Sequence, residues 1–224
     1  MDRKIVQTSD YVTLVGAGPA NTGNLDFALT FAPRIVAVDG GTEMLRNCGM
    51  RPDAVIGDMD STPAAALAGM PPGRVHRIVD QHSTDFDKAL AAVSAPLIVG
   101  VGFLGGRADH QMAALNSLAR HDAGPVILLG EDDVVFRVPD YVAIDVDPGT
   151  RISLHPLTAA RVDGTGLRWP LNDVALAADG LISQSNEATA ARVELRCMGA
   201  LLAFLPRQAL GAAVAALTRS RQTT

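Results

Sequence analysis

From residue 11 to about residue 130, short apolar, β-branched runs alternate with stretches whose apolar residues recur at helical spacing. Strands are predicted over Tyr11–Val15, Arg34–Val38, Ala54–Ile56, Arg74–Val79, Pro96–Val101 and Pro125–Leu129. Helices are predicted between them, over Leu25–Phe31, Thr42–Cys48, Asp85–Val93 and Asp109–Arg120. The last has the plainest pattern, with Met112, Leu115, Leu118 and Ala119 on one face. Alternation of this kind predicts an α/β domain, a mostly parallel sheet with helices on both sides. After Glu131-Asp-Asp133 the texture changes. Val134–Val138, Val142–Val146, Ile152–Leu157, Leu181–Ser183, Arg192–Arg196 and Ala200–Leu205 read as strands separated by Gly, Pro and Asp. A helical turn is expected around Asp173–Ala177 and a short helix over Gln208–Leu217. Such spacing predicts a small antiparallel β-sandwich. A boundary near Pro139 divides the α/β domain, 1–138, from the sandwich domain, 139–224.

Composition narrows the class. The chain has 224 residues, 48% hydrophobic and 19% charged, enough to bury a sizeable core. A net charge of −5 and the lack of a Lys/Arg run argue against a nucleic-acid surface. No apolar run reaches the ~18 residues of a membrane span, and Met1-Asp-Arg-Lys-Ile-Val lacks the apolar core of a signal peptide. Cys48 and Cys197 stand far apart with no Cys/His cluster, so buried free thiols and a reducing cytoplasm are expected, without a zinc site. His76, His121 and His155 have no partner at ligand spacing, and the single Trp, Trp169, is expected in the core.

The chemistry lies in a train of aspartates at the ends of the apolar runs. Asp39 follows Arg34–Val38, Asp58 and Asp60 follow Ala54–Gly57, and Asp85 closes Asp80-Gln-His-Ser-Thr-Asp85. Asp109 sits in Gly105-Gly-Arg-Ala-Asp-His110. In open α/β sheets the carboxyl ends of the strands are where ligands bind. Two like charges about 4 Å apart repel by roughly 4 kcal/mol at an effective dielectric near 20, so converging carboxylates need a cation. All-oxygen ligands point to Mg²⁺, which commonly arrives with phosphate.

Each motif also has a plainer reading. Asp58 and Asp60, two apart on an extended segment, can share one cation; alternatively they belong to a polar turn capping a helix that starts near Pro63, with Ser61 or Thr62 as N-cap. Thr84 and Asp87 suit the first turn of a helix, and Lys88 reads as a solvated helix residue or a phosphate ligand. Paired glycines at Gly105-Gly106 let backbone approach a ligand closely. Arg107 at a helix N-terminus opposes the helix dipole unless a phosphate lies beside it. His110 could simply bond a backbone group. Gly16-Ala-Gly-Pro19 invites a dinucleotide reading with Asp39 on a ribose. That reading is weakened by Asn21 at the third glycine position and by Pro19 inside the loop.

Taken in order, these motifs resemble the thiamine pyrophosphokinase family. The resemblance rests on Asp39-Gly-Gly41, Pro52-Asp-Ala-Val-Ile-Gly-Asp-Met-Asp-Ser61, Asp80-Gln-His-Ser-Thr-Asp-Phe-Asp-Lys-Ala-Leu90 and Gly105-Gly-Arg-Ala-Asp-His110, then Gly166-Leu-Arg-Trp169 and Ser185-Asn-Glu187. It implies an N-terminal domain that binds ATP and Mg²⁺, a C-terminal sandwich that binds thiamine, and a homodimer. It implies transfer of the terminal pyrophosphoryl group of ATP to the thiamine hydroxyethyl group, releasing AMP. By this resemblance Asp58, Asp60 and Asp85 are metal ligands, with Asp39 in the same cluster. Gln81, Thr84, Lys88, Gly105, Gly106, Arg107 and His110 become nucleotide contacts, and Asp109 a catalytic-loop carboxylate. Ser185 and Asn186 border thiamine, and Asp39 or Asp109 accepts the alcohol proton.

Two positions depart from the family's pattern. His82 stands where an acid is usual, and Ala188 where an aromatic is usual after Ser185-Asn-Glu187. Ala188 motivates an alternative acceptor such as a hydroxymethylpterin alcohol. A metal-dependent phosphohydrolase on the same acidic cluster is the other alternative.

Overall fold

The computed structural model of the chain describes residues 4–219. It forms two compact units. One runs up to Ser117 and includes Leu128–Glu131; the other comprises Leu118–Ile127 and the chain from Asp132 on. Packing thus divides the chain at more than one point. The change of sequence texture marks where strands become antiparallel, whereas packing assigns the strand over Asp133–Arg137 and the end of a preceding helix to the second unit.

The first unit follows the predicted alternation: β1 (Val6–Gln7), β2 (Val12–Val15), α1 (Thr22–Leu29), β3 (Arg34–Val38), α2 (Gly41–Asn47) and β4 (Ala54–Gly57). Then come β5 (Val75–Arg77), α3 (Asp85–Ala92), β6 (Val93–Ser94), β7 (Ile98–Val101), α4 (Ala108–Arg120) and β8 (Val126–Leu129). Strands β7-β2-β3-β4-β5 lie side by side in that order, all parallel. β2, β4 and β7 are buried along their whole length, as sheets covered on both faces require. Val15, Leu25, Ala37, Leu45 and Val55 form one core cluster beneath α1 and α2. From β2 the chain steps one way to β3, β4 and β5, and β7 returns to the other side of β2. The order reverses between β2 and β7, and a crevice is expected there.

The second unit contains β9 (Asp133–Arg137), β10 (Tyr141–Asp145), β11 (Arg151–Pro156), β12 (Ala160–Thr165), β13 (Leu171–Leu176), β14 (Ser183–Glu187), β15 (Arg192–Met198), β16 (Leu201–Pro206) and α5 (Leu210–Arg219). Two antiparallel sheets result, β14-β11-β16-β9 and β10-β15-β12-β13. Strict in–out alternation along β11, β12 and β15 gives each sheet one apolar face. The fold class read from the sequence is thus observed. α5 packs on β10 through a face that includes Leu210, Ala213, Val214 and Leu217.

Several local expectations are corrected. β12 (Ala-Arg-Val-Asp-Gly-Thr) has no apolar run to announce it, and the helical turn expected at Asp173–Ala177 is part of β13. Its Asn172-Asp173 pair reads as a turn. Here Asp173 takes a left-handed backbone (φ 49°) opposite a register shift between Val162 and Gly164, and Arg161 forks onto its carboxylate. The strand expected over Leu181–Ser183 starts only at Ser183. The helix near Pro63 is one 3-10 turn, Ala64–Ala66, and neither Ser61 nor Thr62 caps it. Met112 is 57% exposed; the buried stripe of α4 is Ala114, Leu115, Leu118 and Ala119. Trp169, expected in the core, is 56% exposed. Cys197 is buried, its thiol pushed up to about 11 by desolvation, whereas Cys48 is half-buried. No helix among the described residues is long and apolar enough to cross a membrane.

Candidate active site

The ends of β2 and β7 meet backbone to backbone. Gly16 N–H donates to Val101 O at 2.8 Å and Gly18 N–H to Gly102 O at 2.9 Å. A Cβ on Gly18 would lie 2.6 Å from Gly102 O, and Gly102 itself needs φ +80°. Only glycine permits this approach. It leaves a cavity of about 600 Å³ at the switch point, lined by Gly16–Pro19, Asp39, Ser61, Thr84–Phe86, Gly102, Phe103, Gly105, Arg107 and His110, with Ala113 and Ala114 behind. The dinucleotide fingerprint is broken at Asn21 because that side chain serves another end: its carbonyl caps α1 through Asn24 N–H at 2.8 Å.

Asp39 opens the acidic side. It is buried in a left-handed conformation (φ 43°), and its Oδ1 accepts a 2.8 Å bond from Thr62 Oγ1. Asp58 and Asp60 flank Met59, itself at φ 67°. Left-handed non-glycine residues cost free energy and tend to be kept where geometry serves function. One oxygen from each of Asp39, Asp58 and Asp60 falls within 4.8 Å of the others. No His or Cys joins this set, so the donors are hard oxygens that fit Mg²⁺ better than Zn²⁺.

Asp85 is not in that group of three. Thr84 and Asp87 form a reciprocal capping box that starts α3 and fixes Asp85 in its first turn. One turn on, Lys88 reaches back, its Nζ donating to Asp85 Oδ1 at 2.9 Å and to Asp58 Oδ2 at 2.8 Å. Its side chain is 3% exposed, so the solvated-helix reading fails. The Lys88 bond is the main reason Asp58 is held below the ordinary carboxylate range. Burial pulls Lys88 down, but its bonds to both carboxylates outweigh this and leave the ammonium above the usual lysine value.

The Gly-rich loop ends in an exposed pair. Arg107 forks onto Asp109 through Nε–Oδ1 at 3.1 Å and Nη2–Oδ2 at 2.7 Å. That bond holds Asp109 at about 2, against an opposing desolvation. Arg107 thus has a carboxylate partner where the sequence suggested only a phosphate. Of the other expected nucleotide contacts, Thr84, Gly105, Arg107 and His110 line the cavity, while Gln81, Lys88 and Gly106 do not. Sequence reasoning missed Gln111, whose Oε1 accepts the Gly105 N–H at 2.8 Å and pins the loop. It also undervalued Gly16–Pro19, which line the cavity without a dinucleotide motif. His82, at the departure from the usual acid, is exposed, and its N–H donates to Asp80 at 2.9 Å.

In the second unit, Ser185 has φ 55° and its N–H donates to Ser153 Oγ at 2.9 Å. Asn186, expected as a thiamine contact, is 2% exposed and turned to the protein. Its Oδ1 accepts from Trp169 N–H (3.1 Å) and Glu187 N–H (2.9 Å), and its Nδ2 donates to Trp169 O (2.8 Å). Asn186 is therefore placed to hold the Trp169 backbone. The strap is completed by Arg168 N–H to Glu187 O and Thr189 N–H to Gly166 O, both 2.8 Å. Ala188 is 1% exposed, so a ring there would have to displace packed neighbours. The exposed ring on this strap is Trp169, with the Arg168 guanidinium 5.2 Å from its centroid.

Comparison with known proteins agrees with this two-part organisation. The profile "Thiamin pyrophosphokinase, catalytic domain" matches residues 27–128, and "Thiamin pyrophosphokinase, vitamin B1 binding domain" matches 140–202. The chain belongs to the thiamine pyrophosphokinase family. Among its relatives in that family, thiamine pyrophosphokinase 1 of Oryza sativa subsp. japonica is 30% identical over 155 residues, covering 61% of this chain and 59% of the rice protein. The chain thus matches less than two thirds of that plant relative's length. Thiamin pyrophosphokinase 1 of Caenorhabditis elegans is 29% identical over 187 residues, covering 75% of this chain and 76% of the relative. The fold matches that of the Candida albicans thiamin pyrophosphokinase, with a TM-score of 0.74 at 16% identity over 90% of this chain and 92% of that one.

Proposed function

We propose that this chain is a thiamine pyrophosphokinase, transferring the terminal pyrophosphoryl group of ATP to the hydroxyethyl oxygen of thiamine and releasing AMP. The observation that carries the reading is the convergence of Asp39, Asp58 and Asp60 beside a glycine-built cavity at the switch point of the parallel sheet. The match to a vitamin B1 binding domain supports thiamine over a pterin alcohol, and a dedicated acceptor domain argues against a phosphohydrolase. A homodimer in the cytoplasm completes the proposal.

The chain's own groups have defined tasks in this scheme. Asp39, Asp58 and Asp60 would hold Mg²⁺, which when bound offsets charge on the polyphosphate. Backbone at Gly16–Gly18 and Gly105 can approach the nucleotide without side-chain obstruction, and Gln111 keeps Gly105 in place. Arg107 supplies a cation at the cavity edge, oriented by Asp109. Asp109 is a poor proton acceptor because Arg107 holds it at about 2. Asp39 is the better candidate for the alcohol proton: Thr62 occupies Oδ1, and no hydrogen bond to its Oδ2 is found among the described residues. The test is AMP release from ATP with thiamine present and absent, with and without Mg²⁺, the product identified by mass. AMP and thiamine diphosphate in equal amounts, only with Mg²⁺ and thiamine together, is the expected result. Phosphate release without an acceptor would overturn the proposal.

A further inference from the structure

Among the described residues, Lys88 is the one strongly buried cation of the acidic site. Its ammonium spans Asp58 Oδ2 and Asp85 Oδ1 at 2.8 and 2.9 Å, and its side chain is 3% exposed. It leaves Asp58 Oδ1 outside the ion pair, accepting a long 3.2 Å bond from Asp60 N–H. A divalent cation among Asp39, Asp58 and Asp60 would therefore share Asp58 with a fixed positive charge. We propose that Lys88 is a resident counter-ion: it holds the Asp58/Asp85 side of the cluster so that a bare divalent cation binds weakly and the metal enters with the polyphosphate it accompanies.

The physical basis is a competition of like charges. A divalent ion about 6 Å from an ammonium is disfavoured roughly tenfold even at the dielectric of water, and more at a part-buried site. Anionic phosphates arriving with the metal offset that repulsion. The bare metal brings nothing to do so. Lys88 is thus a positioning and selectivity residue: it fixes two carboxylates through hydrogen bonds and biases what may join them. The inference rests on reading the cluster as a metal–nucleotide site, and its test separates the two.

Mn²⁺ binding is measured by electron paramagnetic resonance on the full chain, with and without a non-hydrolysable ATP analogue. Wild type is compared with Lys88→Met, which keeps the buried stem and removes the charge, and with Lys88→Arg, which keeps the charge. Without the analogue, Lys88→Met is expected to bind Mn²⁺ about tenfold or more tighter than wild type, and Lys88→Arg to stay close to wild type. With the analogue the gap between Lys88→Met and wild type should narrow. Equal or weaker Mn²⁺ affinity in a folded Lys88→Met overturns the inference while leaving the metal site intact. Absence of Mn²⁺ binding in every protein under both conditions removes the site itself, and the inference with it. Should Lys88→Met fail to fold, Lys88→Gln carries the same comparison, because its amide can still donate to the carboxylates.

Discussion

Replacing Asn186 by alanine should loosen one strap of the second unit, and the chain carries its own reporter. The side chain makes three hydrogen bonds, two to the Trp169 backbone and one to Glu187 N–H, from a site only 2% exposed. At about 1 kcal/mol net for each bond, the loss is roughly 3 kcal/mol. For a chain of this size that lowers Tm by about 6–12 °C. Trp169 is the single tryptophan, so fluorescence excited selectively at tryptophan reports this strap. Asn186→Ala should show stronger acrylamide quenching and a red-shifted emission maximum at temperatures where the fold persists. Asn186→Asp should be at least as destabilising at neutral pH, since it loses the donor and sets a buried carboxylate against Trp169 O. A Tm within about 2 °C of wild type, with unchanged quenching, would refute the idea that Asn186 holds Trp169.

Other expectations follow from the first unit. Asp60→Asn removes one exposed carboxylate of the cluster, so turnover should fall by at least roughly 100-fold while stability shifts by no more than about 0.5 kcal/mol; steady-state kinetics and thermal unfolding check both. Gly18→Ala places a methyl 2.6 Å from Gly102 O, which should cost about 1–3 kcal/mol and weaken nucleotide binding measured by calorimetry. The Asp109 carboxyl should titrate at about 2 by NMR, and in Arg107→Gln its midpoint should return toward 3.8. Because the folded value is depressed, the pair's stabilisation is present above pH ~3.8 and is lost as pH falls toward 2. A wild-type midpoint near 3.8 would show that the Arg107–Asp109 fork does not persist in solution.

The sequence by itself determined the alternation of parallel strands and helices, because burial on both faces leaves unbroken apolar runs such as Ala54–Gly57 and Ile98–Val101. It also placed Asp39 and the Asp58/Asp60 pair after apolar runs, and the structure brings their carboxylates together at the ends of β3 and β4. Polar strands escaped it: β12 and β13 bury only a few apolar side chains and are held as well by cross-strand pairing and the Arg161–Asp173 fork. The partners of Lys88 and Asn186 were likewise decided by tertiary structure. Lys88 looks solvated on its own helix and becomes a buried counter-ion only because β4 brings Asp58 to it from 30 residues away. Asn186 meets the Trp169 backbone only because β14 folds against it across 17 residues of sequence. Hydrogen bonds and charge pairs between distant segments leave no periodicity in the chain. Residue type announces that a polar group has work to do, and only the packing of the elements decides which partner it meets.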